Sequence, residues 1–447
     1  GKCRDTDTGT MCPSYMVTLE EQHSTRGRAR ILYEMLQGDT ITDGWRSKDV
    51  HEALDLCLSC KGCKGDCPVS VDMATYKAEF LSKHFKRRLR PPPAYTMGLI
   101  MVHARLAARM PRLANFVTQT PGIAHVVKLA GGISPRREMP PFAPQTFKAW
   151  FRERGEVNPQ GDPVLLFPDT FNDHLHPEPM KAAVEVLEAA GFRVVVPEPA
   201  LCCGRPLYDY GMLDTAKLFW RRTLSTLAPW IREGVPLVGL EPSCVAAFRD
   251  ELANLMPHVG DAKRLALQAL TLAEFLERHA PDWQPPRLER RAIVHGHCHQ
   301  EAVMGMSAEQ SLYERLGLDY RVLDSGCCGL AGSFGFEREH DDISRAIGEH
   351  KLMPMVREAG RETLVIADGF SCKTQIEQLT DRRALHTAQV IKMAMDHGPE
   401  GVAGGEPERA YPDVVLDGAV PDGRLAAGAA AALAAGAVGA AIAARRR

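Results

Sequence analysis

The sequence predicts an α + α/β protein, with a small helical N-terminal domain, two successive α/β units of similar internal order, and a low-complexity tail. Three observations predict it. Four cysteines crowd into the eleven residues Cys57–Cys67, between two helix patterns. From 161 to 397, short apolar strand runs alternate with helix patterns, as in α/β units with a parallel sheet. The cysteines after those strands recur at near-constant offsets: Cys202 to Cys327 is 125 residues and Cys244 to Cys372 is 128.

The 447 residues suffice for about three domains with real cores. A net charge of -2 gives no global attraction to nucleic acid or anionic membrane. Thirteen cysteines, an odd number grouped by motif, point to a reducing compartment and metal chemistry instead of a disulfide framework. No P-loop, no G-x-G-x-x-G after a strand and no serine nucleophile elbow occurs, which excludes the usual nucleotide and acyl-transfer sites. The expected divisions are 1–95, 96–160, 161–285, 286–397 and 398–447. The chain opens on Gly1 with Cys3 two residues inside, so a longer parent protein is expected.

In residues 1–95, the segment after His23 runs into a helix pattern at Ile31–Leu36, closed by Gly38. A second helix, about 50–56, feeds into Cys57. A third runs from Met73 to Phe85. Between them, Cys57-x2-Cys60-x2-Cys63-x3-Cys67-Pro68 has the thiolate spacing of a bacterial-type 4Fe-4S site. A zinc ribbon spreads its ligands as two C-x2-C pairs 15 to 20 residues apart, which this is not. Modules holding two such clusters exchange ligands, the cysteine before proline serving the other cluster. Applied here, Cys12 completes Cys57, Cys60 and Cys63, while Cys67 joins Cys3 in a second, incomplete set. The eight-residue gap between Cys3 and Cys12 departs from the usual spacing, and plain buried thiols are the alternative for that pair. Arg26, Arg28 and Arg30 lie near these thiolates in sequence, where they either raise a cluster potential or form a solvated helix start.

Residues 96–160 begin as a mixed apolar and basic helix, about 94–117, broken at Pro111, followed by a Pro-rich basic stretch and an amphipathic run at 147–154. The proline density predicts an extended strap packed on the domains, in preference to a membrane-surface helix.

The two α/β units then follow. In the first, Val164–Pro168 is a strand run, Met180–Ala190 a helix closed by Gly191, and Phe192–Val196 a strand leading to Cys202-Cys203-Gly204. A helix at 214–227 and a strand at 236–240 lead to Cys244. In the second, Ala292–Val294 leads to His297-Cys298-His299, Tyr320–Leu323 to Cys327-Cys328-Gly329, and Thr363–Ala367 to Cys372. Every one of these cysteines follows a strand, at the edge where open α/β sheets build sites. Adjacent cysteines do not both reach one cubane comfortably, and the glycine after each pair lets backbone approach a bulky group. His297 and His299 are each either a ligand or proton relay or a histidine satisfied by backbone. At 425–444, twenty residues hold thirteen Ala and three Gly before three arginines. So few strongly apolar residues favour a loose tail over a membrane span.

Cys-Cys-Gly with a later cysteine, twice, resembles the cysteine-rich (CCG) domains of heterodisulfide reductases and of the iron–sulfur subunits of glycolate oxidase and anaerobic glycerol-3-phosphate dehydrogenase. Gly9–Tyr15, His23–Arg30, Phe167–Asn172 and Leu201–Gly211 look like the C-terminal half of FAD-linked D-2-hydroxy-acid dehydrogenases. The resemblance covers residues 1–395 and implies a helical two-cluster ferredoxin-like domain followed by two duplicated CCG units. It implies a further iron–sulfur cluster on Cys202, Cys203, Cys244, Cys298, Cys327, Cys328 and Cys372. Copy one has Asp169 near the position of Cys298, so Cys298, Cys327, Cys328 and Cys372 form the fuller set. Implied partners are an FAD-binding dehydrogenase part, with FAD on the absent N-terminal portion, and a quinone or other carrier as electron acceptor.

The expected function is therefore an iron–sulfur electron-transfer module of an oxidoreductase acting on D-lactate or D-2-hydroxyglutarate, with no nucleic-acid partner. The expected location is cytoplasmic, with peripheral attachment at the inner membrane face as an option. One rival is a CCG domain that reduces a disulfide itself; another is a zinc-stabilised scaffold.

Overall fold

The computed structural model describes residues 1–416. The Ala-rich tail expected at 425–444 lies outside the described residues.

The N-terminal helices begin and end where their sequences supply caps. Ser24 accepts a hydrogen bond from Gly27 N at the start of helix Thr25–Gln37, and Gly38 closes it in the left-handed region. Ser47 caps Lys48–Asp55, and Asp72 caps Met73–His84. Their apolar faces meet in one cluster that includes Val50, Leu54, Met73 and Phe80 together with Cys3, Cys12, Cys57 and Cys63.

The expected helix at 94–117 is instead a series of short helices, Pro92–Thr96, Ile100–Ala107 and Pro111–Gln119, followed by Ile123–Ala130. Prolines at the first turns of two of these restart the chain, since proline suits the first helical turn but not the interior. The Pro-rich stretch behind them is extended and pinned to the second α/β unit by Arg137. That side chain is fully buried, donating to Gly335 O at 2.8 Å, Ser344 Oγ at 2.8 Å and Gln375 Oε1 at 2.6 Å, and pairing with Asp341.

Two small parallel sheets follow. The first contains β1 (Pro163–Leu166), β2 (Arg193–Val195), β3 (Leu237–Val238) and β4 (Ala269–Leu270) in the order β2-β1-β3-β4. The second contains β5 (Arg291–Val294), β6 (Asp319–Val322) and β7 (Leu364–Ile366) in the order β6-β5-β7. β5 thus sits in its sheet as β1 does, with Val164 beside Val194 in one and Ile293 beside Arg321 and Val365 in the other. The architecture agrees with an α + α/β class. β4 is a two-residue strand that the sequence pattern did not reveal.

Both sheets share one apolar core: Val164, Leu166 and Val238 of the first pack in the same cluster as Ala292, Val294 and Ile366 of the second. Helix Pro177–Ala189 packs on Thr387–His397 across the boundary. Helix Cys298–Val303 lies against both Gly62–Asp66 and Pro242–Arg249, so three thiol-bearing segments converge. The contact is close enough that a Cβ on Gly65 would come within 3.2 Å of Ala302 Cα.

Candidate metal centre

The loop Cys57–Cys63 is shaped by two residues with left-handed backbone, Ser59 (φ 52°) and Lys61 (φ 61°). Non-glycine residues adopt this region rarely, and it costs strain that surrounding contacts must hold. Those contacts come from both α/β units. Ser59 O accepts from Arg205 Nη2 at 2.5 Å and bonds His299 Nε2 at 3.1 Å. The Lys61 ammonium, fully buried, meets Asp72 at 3.0 Å, Glu251 at 3.4 Å, and Asp250.

The structure brings Cys12, Cys57 and Cys63 into mutual electrostatic range. Burial, with the Cys57 thiolate second, pushes Cys63 up to about 12. Burial also raises Cys12, opposed by the Arg28 guanidinium. Arg28 is itself buried, with Nη1 3.9 Å from Cys12 Sγ, Nε on Ala53 O and Nη2 on Ser14 Oγ. Of the three arginines singled out, Arg28 alone turns inward. Arg26 pairs with Glu21 and Arg30 with Glu34 on the surface. Cys3 is buried in the same cluster, and Cys67 is half-buried against it.

Cys60 lies at the edge of this group, in the neighbouring packed cluster. It packs with Cys298 and Cys327 and feels the charges of Cys327 and Cys63, so it stands between the N-terminal thiols and those of the second unit.

In that unit the thiols form a continuous series. Cys298 neighbours Cys327, Cys327 neighbours Cys328, and Cys328 neighbours Cys372. The adjacent Cys327 and Cys372 thiols hold Cys328 below the usual thiol range despite burial. In the first unit, Cys244 donates to Cys203 at 3.0 Å. Against its hydrogen bond with Cys203, burial and the charges of Asp169, Glu241 and Cys202 together push Cys244 up to about 12. The paired cysteines behave alike in both units: Gly204 N donates to Cys202 Sγ and Gly329 N to Cys327 Sγ, each at 3.4 Å. Their glycines serve the local fold. At φ 78°, a Cβ on Gly204 would sit 2.5 Å from Trp220 Nε1; at φ 88°, one on Gly329 would sit 2.2 Å from Ser344 O.

The offset of 128 between Cys244 and Cys372 also maps Cys298 onto Thr170, which opens helix Thr170–His174 as Cys298 opens Cys298–Val303. Thr170 lies beside Cys202 as Cys298 lies beside Cys327. Asp169 is therefore the helix cap, accepting from Phe171 N and Asn172 N, in the place of His297. Burial, then the charge of Glu241, pushes Asp169 up to about 7.

The two cysteine groups line one cavity of about 100 Å³, bordered by Cys202, Cys203, Cys244, Cys298 and Cys328 and by Glu241. Glu241 accepts from Phe370 N at 2.7 Å, tying one unit to the other. His297 is buried 3.8 Å from Glu241, and burial depresses it to about 4. His299 is depressed further by burial and by Arg205. Both rings are therefore neutral at pH 7, and His297, Cys298 and His299 place donor atoms within 4.8 Å of one another.

Sequence reasoning missed the burial of Lys61, the Thr170 correspondence and a third histidine, His295, which lies with Cys328 and Cys372. The 128-residue offset was the signal for Thr170. Thiolates beside neutral imidazoles form a soft donor set suited to iron–sulfur clusters or zinc. All thirteen cysteines are free of disulfides, as that chemistry needs.

Comparison with known proteins agrees with this donor set. Residues 1–72 match the 4Fe-4S dicluster domain, and residues 166–249 and 297–377 match the cysteine-rich domain. The D-2-hydroxyglutarate dehydrogenase of Pseudomonas putida is 26% identical over 437 residues, covering 88% of this chain and 42% of that protein. The C subunit of the anaerobic glycerol-3-phosphate dehydrogenase of Escherichia coli is 30% identical over 291 residues, 63% of this chain and 72% of the relative. The glycolate oxidase iron-sulfur subunit of the same organism is 23% identical over 401 residues, 86% of this chain and 91% of the relative. The chain thus spans about two fifths of the length of the D-2-hydroxyglutarate dehydrogenases it matches.

Proposed function

Because the chain belongs to the family of iron–sulfur proteins that join a 4Fe-4S dicluster domain to a cysteine-rich domain, we propose that it is the electron-transfer module of an FAD-linked dehydrogenase for a D-2-hydroxy acid, D-lactate or D-2-hydroxyglutarate. The observation that carries the reading is the sulfur contact between the two domains, Cys60 to Cys298. Bound clusters supply one-electron transfer at thiolate-ligated iron.

In this reading Cys12, Cys57, Cys60 and Cys63 hold one 4Fe-4S cluster, and Cys3 and Cys67 belong to a second. Cys298, Cys327, Cys328 and Cys372 are the main ligands of the cysteine-rich part, with Cys202, Cys203 and Cys244 a partial set where Thr170 replaces a cysteine. The domain limits follow at 1–95, 96–160, 161–285, 286–397 and 398–447, the two α/β units being a duplication. The protein's own groups set the surroundings. Arg28 brings positive charge to Cys12, Gly204 N and Gly329 N donate to thiol sulfur, and the Lys61 network fixes the Cys57–Cys63 loop against the first unit. Each favours the thiolate form or a fixed position of the donors.

The flavin lies on a further part or subunit, and the acceptor is a quinone or other carrier. The location is cytoplasmic, at the inner membrane face. Supporting this, residues 83–128 contain nine Lys and Arg and no Asp or Glu. Leu106, Met110, Leu113 and Val126 are exposed along the same stretch. A basic surface with exposed apolar side chains suits an anionic lipid interface. No helix among the described residues is long and apolar enough to cross a membrane.

The test is anaerobic reduction of the chain, joined to its flavin partner, by D-lactate or D-2-hydroxyglutarate. Bleaching of cluster absorbance is expected. Bleaching with dithionite but with neither acid rejects the substrate class.

A further inference from the structure

His295 directly follows β5, and its backbone N donates to Ile366 O at 2.9 Å, so the β5–β7 pairing fixes its position. The residue is 3% exposed. Nδ1 lies 2.7 Å from Ser325 Oγ, while Nε2 has no hydrogen-bond partner among the described residues. A ring nitrogen of His295 and the sulfurs of Cys328 and Cys372 lie within 4.8 Å of one another. Leaving a buried polar nitrogen unsatisfied costs about 1–3 kcal/mol, so the position calls for a partner. A neutral ring that gives its Nδ1 proton to Ser325 directs the Nε2 lone pair away from that bond. Metal-bound histidines are commonly oriented in this way.

The first unit supplies a second argument. The offset of 128 that relates Thr170 to Cys298 and Cys244 to Cys372 maps His295 onto Phe167. Phe167 is fully buried in an apolar cluster with Leu207 and Trp220. The unit that lacks the cysteine therefore also lacks the imidazole, and the unit with the fuller thiol set has both.

We propose that His295 is a nitrogen ligand, through Nε2, to the metal held by Cys328 and Cys372, making the second unit's centre a mixed imidazole–thiolate site. This rests on the reading that the second unit binds iron. A neutral imidazole in place of a thiolate removes one negative charge from the centre, which raises its reduction potential.

The experiment uses anaerobically purified protein labelled with ¹⁵N-histidine, with iron analysis, redox titration and pulsed EPR in both oxidised and reduced states. A coupled histidine nitrogen is expected in the unaltered protein. It should disappear in His295→Gln and persist in His297→Gln. His295→Cys restores a donor and should keep the iron, lose the nitrogen coupling and shift the potential downward, which separates ligation from misfolding. Absence of histidine coupling in every state, or its survival in His295→Gln, overturns the assignment. Cys372→Ser distinguishes the two levels of failure. If it leaves iron content unchanged, the second unit binds no iron and both readings fall. If it loses iron while His295→Gln changes neither coupling nor potential, the ligand assignment alone falls.

Discussion

Lys61→Met tests how the Cys57–Cys63 loop is held. The Lys61 side chain has no solvent exposure and lies within 3.4 Å of Asp72 and Glu251 and in contact with Asp250. Each pair at 3.0 to 3.4 Å is worth about 5 kcal/mol gross at an effective dielectric near 20, most of it offset by desolvation. Removing one member of such a buried set leaves uncompensated charge, at a net cost of about 3–5 kcal/mol. Arg205 and Lys64 remain to neutralise part of it, since Arg205 Nη1 reaches Glu251 at 2.5 Å and Lys64 reaches Asp250 at 2.6 Å. The lower end, about 3 kcal/mol, is expected. For a cooperative unit of 150–250 residues this lowers Tm by roughly 6–12 °C. Methionine keeps the length of the side chain, so the loss reports charge and not volume. Adding Glu251→Gln removes one of the orphaned carboxylates and should recover about half the loss. Scanning calorimetry under anaerobic conditions measures both variants. A loss below about 1 kcal/mol for Lys61→Met, or a double variant weaker than the single, refutes the clamp.

Other consequences follow from the same structure. His340 Nε2 bonds Asp55 at 2.9 Å and links the N-terminal domain to the second unit. Although burial opposes it, Asp55 and Glu337 raise His340 from 6.5 to about 9. Its contribution to stability is thus complete below pH 6.5 and lost as pH rises through 9. Asp55, lowered to about 2 by His340 against burial, contributes above pH 3.8 and loses that contribution as pH falls through 2. Beyond a pH-independent packing loss from the ring stacked on Phe334, His340→Ala should cost about 1–2 kcal/mol more at pH 6 than at pH 10, discounted because Asp55 is 41% exposed. Denaturant titrations at the two pH values read the difference. Gly204→Ala forces a side chain into a φ of 78° and against Trp220, and should destabilise by more than about 1 kcal/mol in thermal unfolding, whereas Gly38→Ala, with open space, should cost less. The protein should co-sediment with phosphatidylglycerol vesicles and not with phosphatidylcholine vesicles, and Arg105→Glu/Arg109→Glu should weaken that binding at least tenfold at 0.1 M salt. Equal sedimentation of the double variant would remove the membrane-face location.

Much of the fold was legible because its signals are local. Val164–Phe167 and Leu364–Ile366 are unbroken apolar runs, as buried parallel strands require, and both are almost fully buried. Gly38 and Gly191 stop helices in the sequence as in the structure. The break expected at Pro111 is where a new helix starts, whereas the further break between Thr96 and Ile100 has no proline to mark it. β4 has only Ala269 and Leu270, too few residues to show a period. At the centre, the cysteine spacing named the donors, but their surroundings depend on distant chain. Lys61 reads as a surface lysine until Asp250, 189 residues away, is placed beside it. Arg28 and Arg30 share one basic run, and only packing against Ser14 and Ala53 separates the buried one. His295 resembles any histidine after a strand until β7 and the 328–372 thiols close around it.

The central claim is that these thirteen cysteines serve iron. Anaerobic purification followed by iron and acid-labile sulfide analysis, with EPR before and after dithionite, tests it most directly. The account predicts a brown protein holding iron and sulfide in equal amounts, with reduced 4Fe-4S signals that Cys57→Ser diminishes. A colourless protein with stoichiometric zinc and no EPR signal in either state would contradict it.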